Sequence, residues 1–258
     1  MKPARYTSNL QKGGALLDVT ARLVSAWDSQ VSAAGNLAAI QDTNVLGAAS
    51  AVRRWDLVER ILRPRFVDPG PHVISALQVL LRADRLAFRD ACYFETSRTE
   101  PLLAEFAQGP LFDGHASGRS TVSVEDAETW LRHLTVTGAT PDWSDAVRTR
   151  VARALLAALR DFGVLSGTPS SPRKEIGHPY PSAAGFTYAC WRLLELGATA
   201  ASIEASPVWR RWLLTPDDAR SLMADLASHG VIMLNRAGSV TRIEWRAATL
   251  VEAVHAAA

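Results

Sequence analysis

Apolar positions recur at helical spacing along most of this chain, and two short stretches near its end alternate instead. Between residues 14 and 27, Leu16, Leu17, Val19, Leu23, Val24 and Trp27 fall on one side of a 3.6-residue wheel and predict an amphipathic helix. An alanine-rich helix over 30–41 follows, closed by Asp42, Thr43 and Asn44, a turn and cap cluster. A third helix starts at about residues 48–50 and runs to Leu62, where Pro64 is expected to stop it. Three short helices with tight turns, the third rich in arginine, have the outline of a helix-turn-helix unit.

The run 67–71 (VDPGP) breaks the pattern. Beyond it, 72–81, 86–95 and 100–106 predict three helices of a central bundle, and 108–121 (QGPLFDGHASGRST) is the most loop-like part of the chain. Ser123 with Glu125 and Asp126 offers a capped, acidic start to a short helix reaching Leu131, and 137–141 is again a break. The most regular helix spans 144–162: Val147, Val151, Ala154, Leu155, Ala158 and Phe162 share about a third of the wheel, and Gly163 supplies the stop. A Ser/Pro/Gly-rich connection over 167–181 leads to a buried helix over 182–196, ended by Gly197.

The tail is the most patterned segment. Short helical pieces at 199–205 and 208–213 precede Thr215, Pro216, Asp217 and Asp218, which stand in the order of capping hydroxyl, first-position proline and acids at the positive dipole end. This helix reaches about Ser228 and ends at Gly230. Residues 231–235 and 240–245 are β-type runs joined by a glycine-containing turn over 236–239. Helix, glycine and hairpin in that order end a winged helix, although a helix and hairpin can also simply pack together. The expected fold is mainly α, with helix-turn-helix or winged-helix-like units near both ends and a small C-terminal hairpin wing. The expected divisions are an N-terminal unit over 1–68, a central helical region over 69–140 and a C-terminal region over 141–258.

Hydrophobic residues make up 48% of the 258 and charged residues 21%, a balance that supports a packed core and excludes wholesale disorder. No apolar stretch approaches the ~20 residues that span a bilayer, and the start of the chain lacks the apolar core of a secretory signal, so a cytoplasmic protein without a membrane partner is expected. Cys92 and Cys190 sit in apolar segments without CxxC spacing and read as buried small side chains. The six histidines are scattered, and Asp113 with His115 is the nearest approach to a metal site. Neither a phosphate-binding glycine loop nor a GxSxG elbow is present. The acids Asp217, Asp218, Glu125, Asp126 and Glu128 are explained by helix dipoles rather than by acid–base chemistry. The expectation is therefore a non-enzyme with no catalytic residues, no metal and no small-molecule cofactor.

The positive charge is almost all arginine, since lysine occurs only at Lys2, Lys12 and Lys174. A GC-rich genome would favour the same bias, and the formal net charge of +2 decides nothing, so any basic surface must be local. On the third helix Arg53 and Arg60 nearly superpose on the wheel, with Arg63 close by and Arg65 extending the basic end past Pro64. Such a face could position phosphates; it could equally be a solvated face carrying ion pairs, such as Asp56 with Arg53 and Arg60. Arg150, Arg153 and Arg160 line the polar side of the 144–162 helix, and Arg82, Arg85 and Arg89 form a further group. At the hairpin, Arg236 lies in the turn and Arg242 and Arg246 on the second strand, although the helix before it begins acidic.

With these segments placed, the chain resembles the BrxA family, small core components of bacteriophage-exclusion (BREX) defence systems. The resemblance covers most of the length. It rests on 6–10 (YTSNL) followed by 14–17 (GALL), on 44–47 (NVLG) with Ser50, and on 63–66 (RPRF), 88–93 (FRDACY) and 159–165 (LRDFGVL). Glu175 with Ile176, 207–209 (PVW), the 226–230 segment and the 238–245 hairpin continue it. The resemblance implies an all-helical or nearly all-helical protein with helix-turn-helix or winged-helix units towards both ends, which binds double-stranded DNA, works beside other BREX proteins and has no known catalytic activity. The DNA-binding candidates come from the arginines themselves: Arg53, Arg60, Arg63 and Arg65 first, Arg236 and Arg242 second. A scaffold that docks other defence proteins, or an RNA-binding role, would use the same basic faces.

Overall fold

The structure is a computed structural model that describes residues 6–237 and 240–258, with backbone only for 236, 237 and 240. The protein is mainly α, and the chain forms two compact units that interleave along the sequence. One contains Met1–Ala15, Glu100–Tyr180 and Pro207–Thr215, and the other Leu16–Thr99, Pro181–Ser206 and Pro216–Ala258. No helix among the described residues is long and apolar enough to cross a membrane.

In the larger unit, helices Leu17–Ala26, Ala33–Thr43 and Ala51–Trp55 follow one another as the apolar spacing predicts. Asn36 fixes the first turn: its buried amide donates to the carbonyls of Asp28 and Val31 at 2.8 and 3.0 Å and accepts from the Asp28 amide at 2.8 Å. Pro64 does not end the third helix. Ala51–Trp55 runs straight into Asp56–Val67, which is wound in the wide π register. A wider turn makes room for the proline ring and tolerates its missing N–H, and burial of Leu57, Val58, Ile61, Leu62 and Phe66 holds it in place.

The core of this unit is a stack of Pro71–Ala83, Arg85–Thr99, Ala183–Glu195 and Leu250–Ala257, the last packing against both Pro71–Ala83 and Ala183–Glu195. Gly185 lets two of these helices meet: a Cβ there would lie 2.6 Å from the Asp90 Cβ. Asp90 in turn accepts from the Ser182 amide and hydroxyl at 2.8 and 3.1 Å. Burial raises the Asp90 pKa above the ordinary carboxylate value against the opposing effect of those bonds. Glu95 is also buried and accepts from Arg192 Nε at 2.7 Å, Arg98 Nε at 2.8 Å and the Tyr188 hydroxyl at 2.9 Å.

Pro216–Ser228 is the tail helix, and β4 (Ile232–Ala237) pairs antiparallel with β5 (Val240–Trp245) in the register Ile232↔Trp245 to Ala237↔Val240. Of the expected turn over 236–239, Arg236 and Ala237 instead belong to β4, opposite Thr241 and Val240, because the strand pairing extends further than the alternating run, and Gly238 and Ser239 lie outside the described residues.

In the smaller unit the Asp145–Asp161 helix packs against Val124–Val136 and Leu10–Gly13. Ser123 caps Val124–Val136 in a reciprocal capping box with Asp126, as its sequence predicts. The 108–121 segment differs from its loop-like reading. Pro101–Phe106 continues through a wide-wound Ala107–Leu111 into Phe112–Ala116, again past a proline, Pro110. Burial of Leu111 and Phe112 outweighs the local turn signals of Gly109 and Pro110. The connection after residue 166 contains a further strand. β1 (Thr121–Ser123), β2 (Leu165–Ser166) and β3 (Arg173–Ile176) form an antiparallel sheet with β3 in the middle. Its polar sequence RKEI carries no apolar alternation, so hydrophobic patterning could not expose it.

Candidate nucleic-acid interface

The helix from Ala51 onward begins with a Ser50 hydroxyl that accepts from the Arg53 amide at 3.1 Å. None of its first five residues is buried, whereas Leu57, Val58, Ile61 and Leu62 point inward. The outer face carries Arg60 and Arg63, with Arg53 half-buried at its start. Arg60 stacks its guanidinium 5.1 Å from the Trp55 ring centroid and lies 3.4 Å from Asp56. Arg63 bonds Glu59 at 2.9 Å and Asp68 at 3.1 Å, and these two carboxylates raise its pKa. The Asp56–Arg60 pair is one the residue spacing predicts; the double pairing of Arg63 is not, because Asp68 lies beyond the expected helix end.

Arg65 corrects the sequence reading. Its side chain is only 1% exposed, so it is not part of the outer face that carries Arg60 and Arg63. Placing it on the basic end of the face assumed that Pro64 ends the helix. Because the helix continues, Arg65 turns inward, where its charge reaches Cys92. At the hairpin, Arg242 is exposed on β5 and bonds Glu244 at 2.9 Å, and the side chain of Arg236 lies outside the described residues. Arg53, Arg60 and Arg63 therefore share one helix, and Arg242 belongs to a separate element.

Two further side chains on the same helix are surface features that the arginine pattern does not bring out. Val52 is 76% and Trp55 48% exposed, three residues apart and on one face. The sequence does carry their signal, since neither fits the inward set of Val58, Ile61 and Leu62. Elsewhere, His115 is helical rather than in a loop and sits with His178, ring centroids 4.9 Å apart. No group of three or more His, Cys, Asp or Glu among the described residues could hold a metal ion. Cys92 and Cys190 are buried free thiols, and burial pushes both pKa values up.

Among solved structures, an uncharacterised protein from Magnetospirillum magneticum is similar, with a TM-score of 0.59 and 17% identity over 81% of this chain and 98% of that one. That likeness concerns the fold alone. No curated protein matches the chain. The BrxA sequence profile matches residues 4–189, which takes in the arginine helix, the core of the smaller unit and most of Ala183–Glu195. The chain belongs to the BrxA family, and so with the BREX-associated proteins.

Proposed function

We propose that this protein is a non-enzymatic double-stranded DNA-binding accessory of a BREX defence system, acting in the cytoplasm beside other BREX proteins. It holds the duplex largely through backbone phosphates. The observation that carries this reading is the solvent-facing side of the Ala51–Val67 stretch. Arg53, Arg60 and Arg63 follow one another along a helix that is itself preceded by a helix and a tight turn. Guanidinium groups spaced along one helix can each meet a phosphate, which positions a duplex without reading its bases. Arg242 on the hairpin is a secondary contact, and the pairing of helix with hairpin is read as a winged helix.

Duplex binding measured across a salt series tests this. The wild-type affinity is expected to fall steeply with salt. Joint replacement of Arg53, Arg60 and Arg63 by alanine should weaken binding and flatten the slope by up to about 3 in log–log terms. No duplex binding near physiological salt removes the reading. Unchanged binding in the triple variant keeps DNA and discards this face. A scaffold that docks another BREX protein is the second reading, favoured by exposed Val52 and Trp55, because tryptophan beside arginine is the usual composition of a protein-binding hot spot.

A further inference from the structure

A second basic surface lies in the smaller unit, away from the arginine helix in sequence. A groove of about 500 Å³ runs between the Asp145–Asp161 helix and the loop before β3. Arg153 lines it from the helix, Ser170 and Ser171 from the loop, and Lys174 from β3. Its lining, all of it among the described residues, contains no carboxylate.

Lys174 is the unusual member. It is 3% exposed, although its ordinary state is a hydrated ammonium. Gly167, at φ 118°, lets the loop turn back across the lysine stem, with a would-be Cβ 3.7 Å from the Lys174 Cδ. The ammonium donates to the carbonyls of Thr168 at 2.5 Å and Ser171 at 2.7 Å, which uses two of its three N–H bonds. No carboxylate among the described residues lies within salt-bridge distance of it. The neighbouring acid Asp161 is bonded to Arg160. Burial, and then the charge of Arg160, lower the Lys174 pKa. The ammonium is bonded only to carbonyl dipoles and feels the Asp161 charge from beyond ion-pair distance, so it can still take a directly bonded counter-charge.

Arg153 stands at the same groove, exposed and with no ion pair among the described residues. Its planar fork matches two oxygens of a phosphoryl group, while Lys174 supplies a point charge. The Ser171 hydroxyl is engaged with Arg173, whereas that of Ser170 has no partner among the described residues. Two cations and one available hydroxyl match the −1.5 to −2 charge and acceptor oxygens of a phosphate monoester near neutral pH.

We infer that this groove is a phosphoryl-binding site, with Arg153, Lys174 and Ser170 as its ligands. A free phosphate or nucleotide, or a phosphate of a DNA backbone, would supply the same chemistry. The inference does not rest on the arginine helix.

The test uses the full chain with two probes, inorganic phosphate followed by calorimetry and a short duplex followed across a salt series. Arg153→Ala removes an exposed, unpaired side chain and should leave melting in phosphate-free buffer unchanged. Lys174→Met tests the buried charge in the variant that still melts cooperatively. Phosphate binding that weakens about tenfold in Arg153→Ala assigns the site to a free phosphoryl ligand. Duplex binding that weakens in Arg153→Ala, with no phosphate binding, assigns it to the DNA backbone. If neither affinity changes in Arg153→Ala, or if folded Lys174→Met binds phosphate as tightly as wild type, the inference is overturned. Duplex binding lost only when Arg53, Arg60 and Arg63 are replaced, with phosphate binding unaffected by Arg153→Ala, overturns it while sparing the DNA reading. Phosphate binding with no duplex binding does the reverse.

Discussion

Arg63 and Lys174 carry the same formal charge in opposite circumstances. Arg63 is exposed on the most arginine-rich helix and is answered twice, by Glu59 and by Asp68. Lys174 is buried in a polar strand and is answered only by two carbonyl oxygens. A count of cations along the chain favours the first site; a count of cations without counter-ions favours the second. Arg192 marks the third case, a buried arginine fully met by Glu95 and also bonded to Glu195. A cation with no carboxylate at ion-pair distance can take an external anion without giving up a partner, whereas a paired one must exchange. The arginine helix can bind phosphate only by exchanging one carboxylate for another anion, a trade that salt and solvent make inexpensive at the surface.

The largest effect should come from the site where charge is both buried and satisfied. Glu95→Ala leaves Arg192 without its main partner and frees the Tyr188 hydroxyl and Arg98. Denaturant unfolding should show a loss of about 3–5 kcal/mol, and a loss under about 1 kcal/mol would mean that water reaches this cluster. The next effect sharpens the comparison directly. Replacing Asp56, Glu59 and Asp68 by alanine releases Arg60 and Arg63, so duplex affinity should rise at low salt and the salt slope should steepen by about 2. An unchanged slope would show that internal pairing does not limit this face.

Lys174 yields a pH signature. Its folded pKa lies below the ordinary 10.5, so above the folded value the native state sheds a proton that the unfolded chain still holds. Stability contributed by this residue should therefore rise with pH between its lowered pKa and about 10.5. Comparing wild type with Lys174→Met in denaturant at several pH values reads this, and saturating phosphate should diminish the rise. The smallest effect belongs to Arg60→Ala, whose exposed pair with Asp56 should cost no more than about 1 kcal/mol in the same unfolding experiment.

Much of the helical layout is legible in the order of residues alone. The 144–162 periodicity becomes Asp145–Asp161, the Thr215 and Pro216 signal opens Pro216–Ser228, and the two alternating runs become β4 and β5. The Leu250–Ala257 helix is an addition to the expected elements, although a local signal for it exists. The Thr249 hydroxyl accepts from the Glu252 amide and the Glu252 carboxylate from the Ala248 amide, a reciprocal cap one residue removed from the usual box. Pro64 and Pro110, both of which signal a break, instead sit inside wide helical turns. Local rules see the missing N–H but not the buried neighbours that make the turn worth forming. Arg65 follows from that: its inward position depends on a helix that local rules end at Leu62, three residues earlier.

The candidate site divides in the same way. Arg60 and Arg63 are exposed along the helix with Arg53 half-buried at its start, and the pairing of Arg60 with Asp56 follows from their separation of four. The groove of Arg153 and Lys174 has no such signature. Its two cations are 21 positions apart, one on a helix and one on a strand too polar to be recognised, and a glycine turn brings a loop over the lysine.

By itself, then, the sequence determined the mainly helical class, the caps and glycine stops, the closing hairpin and the family, because these depend on residues within a few positions of one another. Only the tertiary structure decided which charges are spent inside the protein and which remain for a ligand. Burial and counter-ions are set by side chains brought together from distant parts of the chain, and no local spacing encodes them.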